Sequence, residues 1–235
     1  MTEFTDIFLV RHGQTVANVT KVMSGWMETD LTPTGVNQAR NAGKALAKQG
    51  VTRIVSSDLS RAQHTARVIG NQLGLDQITV IPSLREWNFG AFEGQPQVKM
   101  WPAILDHLGI AVEPGYLETA TFWDNMNLLH NRGLGEPDMM DALAALDPTG
   151  QTDDWERYTR RLQSAADAIR ESATQLESND AMVAVAHGAI TRNLVQLLAP
   201  ESCDGQPITN ASITHLRYKD DAFEAVRVAV DPAHW

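Results

Sequence analysis

Asp6-Ile7-Phe8-Leu9-Val10, followed by Arg11-His12-Gly13, is the stretch that decides the fold. Its run of β-branched, aromatic and aliphatic residues predicts a short buried strand. Residues 53–56, 78–81 and 182–186 are similar apolar runs and predict three more buried strands. Helical patterns separate the four segments, and strands that alternate with helices form crossover units in a parallel sheet. We therefore predict an α/β fold, a three-layer α/β/α sandwich with a mostly parallel sheet.

The predicted helices carry apolar residues at every third or fourth position. The longest pattern covers residues 155–176, with Asp153 as the expected N-cap and Glu156 three residues later. Near the end of the chain, residues 211–218 and 223–230 alternate and predict a closing hairpin. Three shorter helices are predicted at residues 34–47, 59–73 and 190–198.

Residues 92–150 interrupt this alternation with five prolines, three helix-like pieces and no clear strand. A segment of this length within an α/β enzyme often covers the active site, although a purely structural excursion fits the pattern equally well. We predict a single domain over residues 1–235, with an inserted cap at about residues 92–150.

Composition restricts the classes of function. The chain has 29 acidic and 19 basic residues, a net charge of −10, which disfavours binding to nucleic acid. Its single cysteine, Cys203, excludes an internal disulfide, and no cysteines or histidines have the spacing of a zinc motif. The longest apolar runs are too short to cross a bilayer, and the first residues lack the pattern of a leader. We expect a cytoplasmic protein that binds no membrane; the sequence leaves its oligomeric state open.

A residue suited to phosphate chemistry follows each of the four predicted strands. Arg11 and His12 follow the first strand, and Arg61 lies in the first turn of the helix after the second. Glu86 follows the third strand and His187 the fourth. Because ligands bind at the carboxyl ends of parallel strands, we expect these five side chains to meet at one edge of the sheet. Guanidinium groups bind phosphate oxygens through forked donors.

The set contains the parts that phosphoryl transfer requires: a nucleophile, positive charge and a proton donor. A neutral imidazole can attack phosphorus and form a covalent phosphohistidine, and on residue type alone either His12 or His187 could do so. Glu86 could protonate the leaving oxygen and then activate water, and its protonation state stays open at this stage. Gly13 and Gly188 would allow the backbone to approach the phosphate closely.

Each residue also has a structural alternative. Either histidine could be an ordinary hydrogen-bonded residue at a strand end, and Arg61 could pair with Asp58. Glu86 could be a solvated loop charge, as Glu93 is expected to be. The conjunction of these residues at four strand ends favours a site over these separate alternatives.

Four blocks of sequence resemble the histidine phosphatase superfamily, also called the phosphoglycerate mutase-like family. In chain order they are Arg11-His12-Gly13-Gln14-Thr15, Ser57-Asp58-Leu59-Ser60-Arg61-Ala62, Leu84-Arg85-Glu86 and His187-Gly188. The resemblance implies that His12 is the phosphorylated nucleophile and that Glu86 donates a proton to the leaving oxygen.

The same resemblance assigns binding roles and the absence of cofactors. It implies that Arg11, Arg61 and His187 hold the phosphoryl group. It also implies that further residues line the phosphate or substrate pocket. These are Asn18, Ser24, Gly25 and Gly188. Neither a metal nor another cofactor is expected.

Departures from the family's mutases favour a phosphatase, a hydrolase that transfers the phosphoryl group to water. Residues 95–150 contain only Lys99 and Arg132 as cations against eight acidic residues, where mutases carry a lysine and paired arginines. Phe89 and Ala189 stand where mutases tend to have an aromatic hydroxyl and an asparagine. We predict a metal-independent phosphomonoesterase acting on small phosphorylated metabolites. The alternatives are a cofactor-dependent phosphoglycerate mutase and a catalytically silent phosphate-binding or docking protein.

The acidic insertion favours a monophosphate ester with an uncharged or apolar leaving group. Large apolar residues of the insertion could line its pocket, although packing in a small core is the favoured interpretation. They are Met100, Trp101, Trp123, Met126, Met139 and Met140.

Overall fold

The computed structural model describes residues 4–177, 180–202 and 207–235, so Cys203 lies outside the described residues. Six strands form one sheet in the order β3-β2-β4-β1-β5-β6. The strands are β1 Thr5–Arg11, β2 Val51–Ser56, β3 Ile78–Val80, β4 Ala181–Ala186, β5 Ile213–Lys219 and β6 Ala222–Val230. The first four pair in parallel, and β5 and β6 join antiparallel. The predicted α/β fold is confirmed.

The helices follow the strands in the predicted alternation. The described α-helices are α1 Val16–Thr20, α2 Pro33–Leu46, α3 Ser60–Leu73, α4 Met100–His107, α5 Tyr116–Thr119, α6 Phe122–His130, α7 Glu136–Leu146, α8 Trp155–Thr174 and α9 Gly188–Leu198. Thr32 caps α2 by accepting a hydrogen bond from Gly35 N, and Pro33 occupies the first helical position, where its missing N–H costs nothing.

The core explains why the central strands are uniformly apolar. On β1, Phe8 and Val10 pack with Ala42 and Leu46 of α2 and with Ile69 of α3. Every residue of β4 is buried, as expected for a strand covered on both faces. Burial of both faces therefore fixes the position of β1 and β4 at the centre of the sheet.

Parallel register aligns the ends of the central strands. Arg11 on β1 lies opposite Ala186 on β4, so His12 and His187 leave neighbouring strands at the same level. Ser56 on β2 lies opposite Val185, which brings Ser57 to the same edge. The sheet thus places three of the four predicted segments side by side.

Two local predictions are wrong. Residues 78–81 do not form a buried strand: β3 is a three-residue edge strand with exposed Thr79 and Val80, because no strand pairs with its outer side. The N-cap of α8 is Asp154, whose Oδ1 accepts a hydrogen bond from Arg157 N at 2.7 Å. Asp153 instead accepts a hydrogen bond from Asn88 N at 3.1 Å.

The predicted hairpin is confirmed, with Asp220 and Asp221 both at positive φ in the turn.

The chain divides into two compact units. One contains Met1–Val16, Glu28–Glu86 and Arg161–Trp235, and the other contains Ala17–Met27 and Trp87–Arg160. Residues 92–150, all of them described, contain helices and no strand. The prediction of a single domain with a cap over the site stays a prediction.

The second unit has a core of its own. Met100, Trp101, Met139 and Met140 are at most 4% exposed, as expected for residues that pack in a core. Trp123 is 41% exposed and Met126 is partly exposed. No helix among the described residues is both long enough and apolar enough to span a membrane.

Candidate active site

Two histidines meet at the edge of the sheet. The ring centroids of His12 and His187 are 5.2 Å apart, and the side chains are 4% and 0% exposed. His12 N donates to Ala186 O at 2.9 Å, which extends the β1–β4 pairing by one residue. The sheet therefore holds both imidazoles in a buried position.

One hydrogen bond sets the tautomer of His12. Nδ1 lies 2.8 Å from Gly13 O. Because a carbonyl oxygen can only accept, Nδ1 carries the proton and Nε2 of the neutral ring keeps its lone pair. Nε2 is therefore the nitrogen that can attack phosphorus.

The surroundings keep both rings neutral. Burial, followed by the positive charges of Arg61 and Arg11, lowers the pKa of His12 well below its ordinary value, and the bond to Gly13 O opposes this in part. Burial, followed by Arg61, likewise lowers the pKa of His187. A neutral imidazole is the nucleophilic form.

These lowered pKa values predict a loss of stability in mild acid. Below the unfolded pKa of about 6.5, the unfolded chain binds protons that folded His12 and His187 do not, so the free energy of unfolding falls. We expect a fall of up to about 1.4 kcal/mol per pH unit for each histidine. Urea denaturation between about pH 6.5 and 5.5 measures this slope. His12→Asn should reduce this slope by the contribution of one proton. An unchanged slope would contradict the lowered pKa of His12.

Two arginines supply the positive charge. Arg61, in the first turn of α3, is 1% exposed and is the largest fully buried side chain among the described residues. Arg11 Nη1 donates to Ile208 O at 2.6 Å, while its buried Nε has no hydrogen-bond partner among the described residues. Burial lowers the pKa of Arg11, and Glu86 opposes that shift. Asp58, the alternative partner considered for Arg61, forms its ion pair with Arg85 instead. Both of its oxygens accept hydrogen bonds from Arg85, at 2.7 and 2.5 Å.

Glu86 is not a solvated loop charge. Its Oε2 accepts a hydrogen bond from Ala189 N at 2.9 Å, and its Oε1 accepts one from Ile190 N at 3.2 Å. The carboxylate thus caps the first turn of α9, directly after His187, where a negative charge is stabilised. Glu86, His187 and Arg11 form one electrostatic group at the edge of the sheet.

Gly13 is required by packing. A Cβ on Gly13 would lie 2.3 Å from Gly35 O at the start of α2, whereas a Cβ on Gly188 would meet Arg11 at an ordinary 3.5 Å. Gly13 N also donates to Thr65 Oγ1 at 3.1 Å. The turn after His12 is therefore fixed against α2 and α3.

Gly13→Ala should lower the free energy of unfolding by about 1–3 kcal/mol, because the backbone of α2 has to shift. Gly188→Ala is a matched control, since this glycine also follows a site histidine but has room for a methyl group. Thermal denaturation of both variants checks the difference. Equal melting temperatures would contradict the close packing of Gly13 against Gly35.

Sequence reasoning gave no role to three residues near the site. Ser57 Oγ lies 2.9 Å from His187 Nε2, and Thr65 Oγ1 donates to Arg61 O at 2.8 Å. Both lie within or next to the second sequence block, which is the signal that could have found them. Arg161 on α8 donates to Arg85 O at 2.5 Å and adds positive charge at His187. No sequence signal marked Arg161.

The remaining predicted residues belong to the second unit, so their part in a phosphate pocket stays a prediction. Asn18 lies on α1, and Gly25 N donates to Glu93 Oε2 at 3.0 Å. Glu93, expected to be solvated, also accepts hydrogen bonds from Trp26 N, Met27 N and Phe89 N. It therefore organises the loop that contains Ser24 and Gly25. No group of side chains able to hold a metal ion occurs among the described residues.

The sequence matches a family model along most of its length. The model of the histidine phosphatase superfamily (branch 1) matches residues 7–109 and 127–231. The chain belongs to this superfamily. The resemblance noted in the sequence is confirmed. The matched stretches contain the five residues that were predicted to meet at the edge of the sheet, which are Arg11, His12, Arg61, Glu86 and His187.

Relatives within the superfamily have both mutase and phosphatase names. "Probable phosphoglycerate mutase GpmB" of Yersinia pestis (strain Pestoides F) is 40% identical over 96 residues, which are 41% of this chain and 44% of that protein. The chain thus matches less than half the length of this curated relative.

Solved structures match over nearly the whole chain. Phosphoglycerate mutase from Bacillus anthracis str. Sterne is 27% identical, with a TM-score of 0.80 and coverage of 99% of this chain and 96% of that one. A mycobacterial glucosyl-3-phosphoglycerate phosphatase in complex with VO3 is 26% identical, with a TM-score of 0.66 and coverage of 96% and 99%. The names of these two structures are thus those of a mutase and of a phosphatase.

Proposed function

We propose that this protein is a phosphomonoesterase that hydrolyses small phosphate monoesters through a phosphohistidine at His12. The observation that carries the proposal is the Nδ1–Gly13 hydrogen bond, which leaves Nε2 of a buried, neutral ring as the free nucleophile. The guanidinium groups of Arg11 and Arg61 neutralise the phosphoryl oxygens, so the charge that a metal ion could supply comes from side chains.

The proposed reaction has two displacements at phosphorus. In the first, a bond forms between His12 Nε2 and phosphorus, the ester P–O bond breaks, and Glu86 gives its proton to the departing oxygen. In the second, water attacks phosphorus, the P–N bond breaks, and Glu86 takes the proton from that water. The products are the alcohol and inorganic phosphate, and Glu86 regains in the second displacement the proton that it gave in the first.

The position of Glu86 supports this role and also offers a structural one. Both of its oxygens accept backbone hydrogen bonds from α9, so the transferred proton occupies a lone pair that these bonds do not use. Glutamine keeps one acceptor oxygen for α9 and has no transferable proton. Because glutamine also loses one of the two bonds to α9, the dependence on the leaving group, and not the loss of activity alone, separates the two roles.

We expect Glu86→Gln to slow an alkyl phosphate such as glycerol 2-phosphate by about 10²–10⁴-fold. p-Nitrophenyl phosphate should be slowed much less, because its leaving group departs without a proton. Comparison of kcat/KM for the two substrates checks this. Equal slowing of both would indicate that Glu86 acts only by capping α9.

Water as the acceptor is supported by Phe89, Ala189 and the acidic residues at 95–150. The second candidate, a cofactor-dependent mutase, is favoured by the names of the Yersinia and Bacillus relatives. A panel of phosphate monoesters and 3-phosphoglycerate, with and without 2,3-bisphosphoglycerate, tests both. We expect phosphate release; isomerisation stimulated by the bisphosphate and faster than hydrolysis would show a mutase. A silent binding protein would give neither product.

The proposed substrate class is a small phosphorylated metabolite with an uncharged or apolar leaving group. The eight acidic residues of segment 95–150 would repel a second anionic group. Neither nucleic acid nor a membrane is proposed as a partner.

A further inference from the structure

Ser57 contacts the second histidine of the site. Its Oγ lies 2.9 Å from His187 Nε2, and both side chains are fully buried. The contact joins residues that are 130 positions apart, and it exists because Ser57 and His187 follow the adjacent strands β2 and β4. Ser57 N donates to Val185 O at 2.9 Å, which fixes the backbone that carries the hydroxyl.

The other nitrogen of His187 has no partner. Nδ1 is buried and makes no hydrogen bond to any described residue. Burial and the neighbouring arginines lower the pKa of His187, so its neutral ring carries one proton, on either Nδ1 or Nε2. The position of this proton decides whether Nδ1, the nitrogen that does not contact Ser57, is a donor or an acceptor.

The hydrogen bonds of Ser57 favour one arrangement. Leu59 N lies 3.4 Å from Ser57 Oγ and donates to one of its two lone pairs, and His187 Nε2 is the one acceptor that the hydroxyl hydrogen meets among the described residues. The hydroxyl can then donate its own hydrogen to His187 Nε2. In that case Nε2 is the unprotonated nitrogen, and Nδ1 carries the proton.

We infer that Ser57 is a positioning residue that holds His187 as the Nδ1–H tautomer, so that this N–H donates to an oxygen of the bound phosphoryl group. The inference rests on the proposed function for the identity of the anion. The opposite tautomer would present a lone pair to a phosphate oxygen and repel it. Ser57 therefore acts on phosphate through His187 and does not touch the substrate in this account.

The tautomer of His187 can be read directly from a long-range ¹H–¹⁵N spectrum of protein labelled with ¹⁵N-histidine, with His187→Gln to assign the signals. We expect the Nδ1–H form in the wild type and a shift towards Nε2–H in Ser57→Ala. Ser57→Thr, which keeps the hydroxyl, should restore the Nδ1–H form. A wild-type protein with the Nε2–H form would overturn the inference.

Binding of inorganic phosphate gives the second readout. Loss of one oriented donor should weaken it by about tenfold in Ser57→Ala. Ser56→Ala is the matched control, because this equally buried hydroxyl donates to Ser57 O and does not contact His187. Equal phosphate affinity in Ser57→Ala and Ser56→Ala would also overturn the inference. Both readouts use resting protein, so a lack of phosphatase activity would count against the proposed function alone.

Discussion

His12→Ala is expected to abolish the turnover of p-nitrophenyl phosphate, with a fall in kcat of about 10⁴-fold or more. The buried ring holds the unprotonated Nε2 that forms the covalent intermediate. Without this nitrogen, hydrolysis would need a different mechanism in which water attacks the substrate directly. Steady-state kinetics measures the loss. Retained phosphate binding would show that the site is still assembled.

The control for His12→Ala is His107→Ala, which removes an exposed histidine of α4 and should leave kcat unchanged. Circular dichroism of both variants separates loss of the nucleophile from loss of the fold. Full turnover in His12→Ala would refute His12 as the nucleophile. Full turnover combined with loss of activity in His187→Ala would move that role to His187.

Arg61→Met is expected to lower kcat/KM by about 10²–10³-fold while the protein stays folded. A guanidinium that is 1% exposed has lost its hydration, so it interacts strongly with the charge that develops on the phosphoryl oxygens. Methionine has a similar shape without the charge. Circular dichroism of the variant checks that the fold is kept.

Arg67→Met provides the comparison for Arg61→Met on the same helix. Arg67 is exposed and donates to Gln63 Oε1 at 2.9 Å, so its loss should change neither activity nor stability appreciably. Kinetics and thermal denaturation measured on the same preparations test both statements. An Arg61→Met protein that kept its activity but melted much earlier would show that Arg61 has a structural role.

Local patterns predicted the fold well where burial alone decides the structure. The apolar runs at β1 and β4 are covered on both faces, so the sequence shows burial without any knowledge of partners. The same reasoning failed at Ile78–Val80, because an apolar run cannot reveal whether a strand has neighbours on both sides. Sheet edges depend on contacts between distant segments.

The site was predictable in its residue types and less so in its contacts. Arg11, His12 and His187 were expected together because parallel strand ends share one edge, and the structure places them there. The nucleophilic nitrogen of His12 was not predictable, since it depends on how the ring turns towards Gly13 O. For this reason the residue types alone did not distinguish His12 from His187 as the nucleophile.

Hydrogen bonds to distant backbone groups account for the remaining differences. Glu86 and Glu93 have the same side chain, and sequence reasoning offered a solvated loop charge for both. Glu86 caps α9, and Glu93 accepts hydrogen bonds from the backbone of residues 25–27. Each carboxylate lies where a backbone turn presents several N–H groups. Such positions follow from the path of the loops, which no periodicity in the sequence encodes.

The central claim is that hydrolysis passes through a phosphoryl group on His12. The most direct test is to mix the enzyme with p-nitrophenyl phosphate, stop the reaction within milliseconds in alkali, and locate phosphate on the peptides by mass spectrometry. We predict an acid-labile phosphoryl group on the peptide that contains His12, and none in His12→Ala. Rapid release of phosphate with the phosphoryl group on another residue, or with no phosphorylated peptide at any time, would contradict hydrolysis through His12.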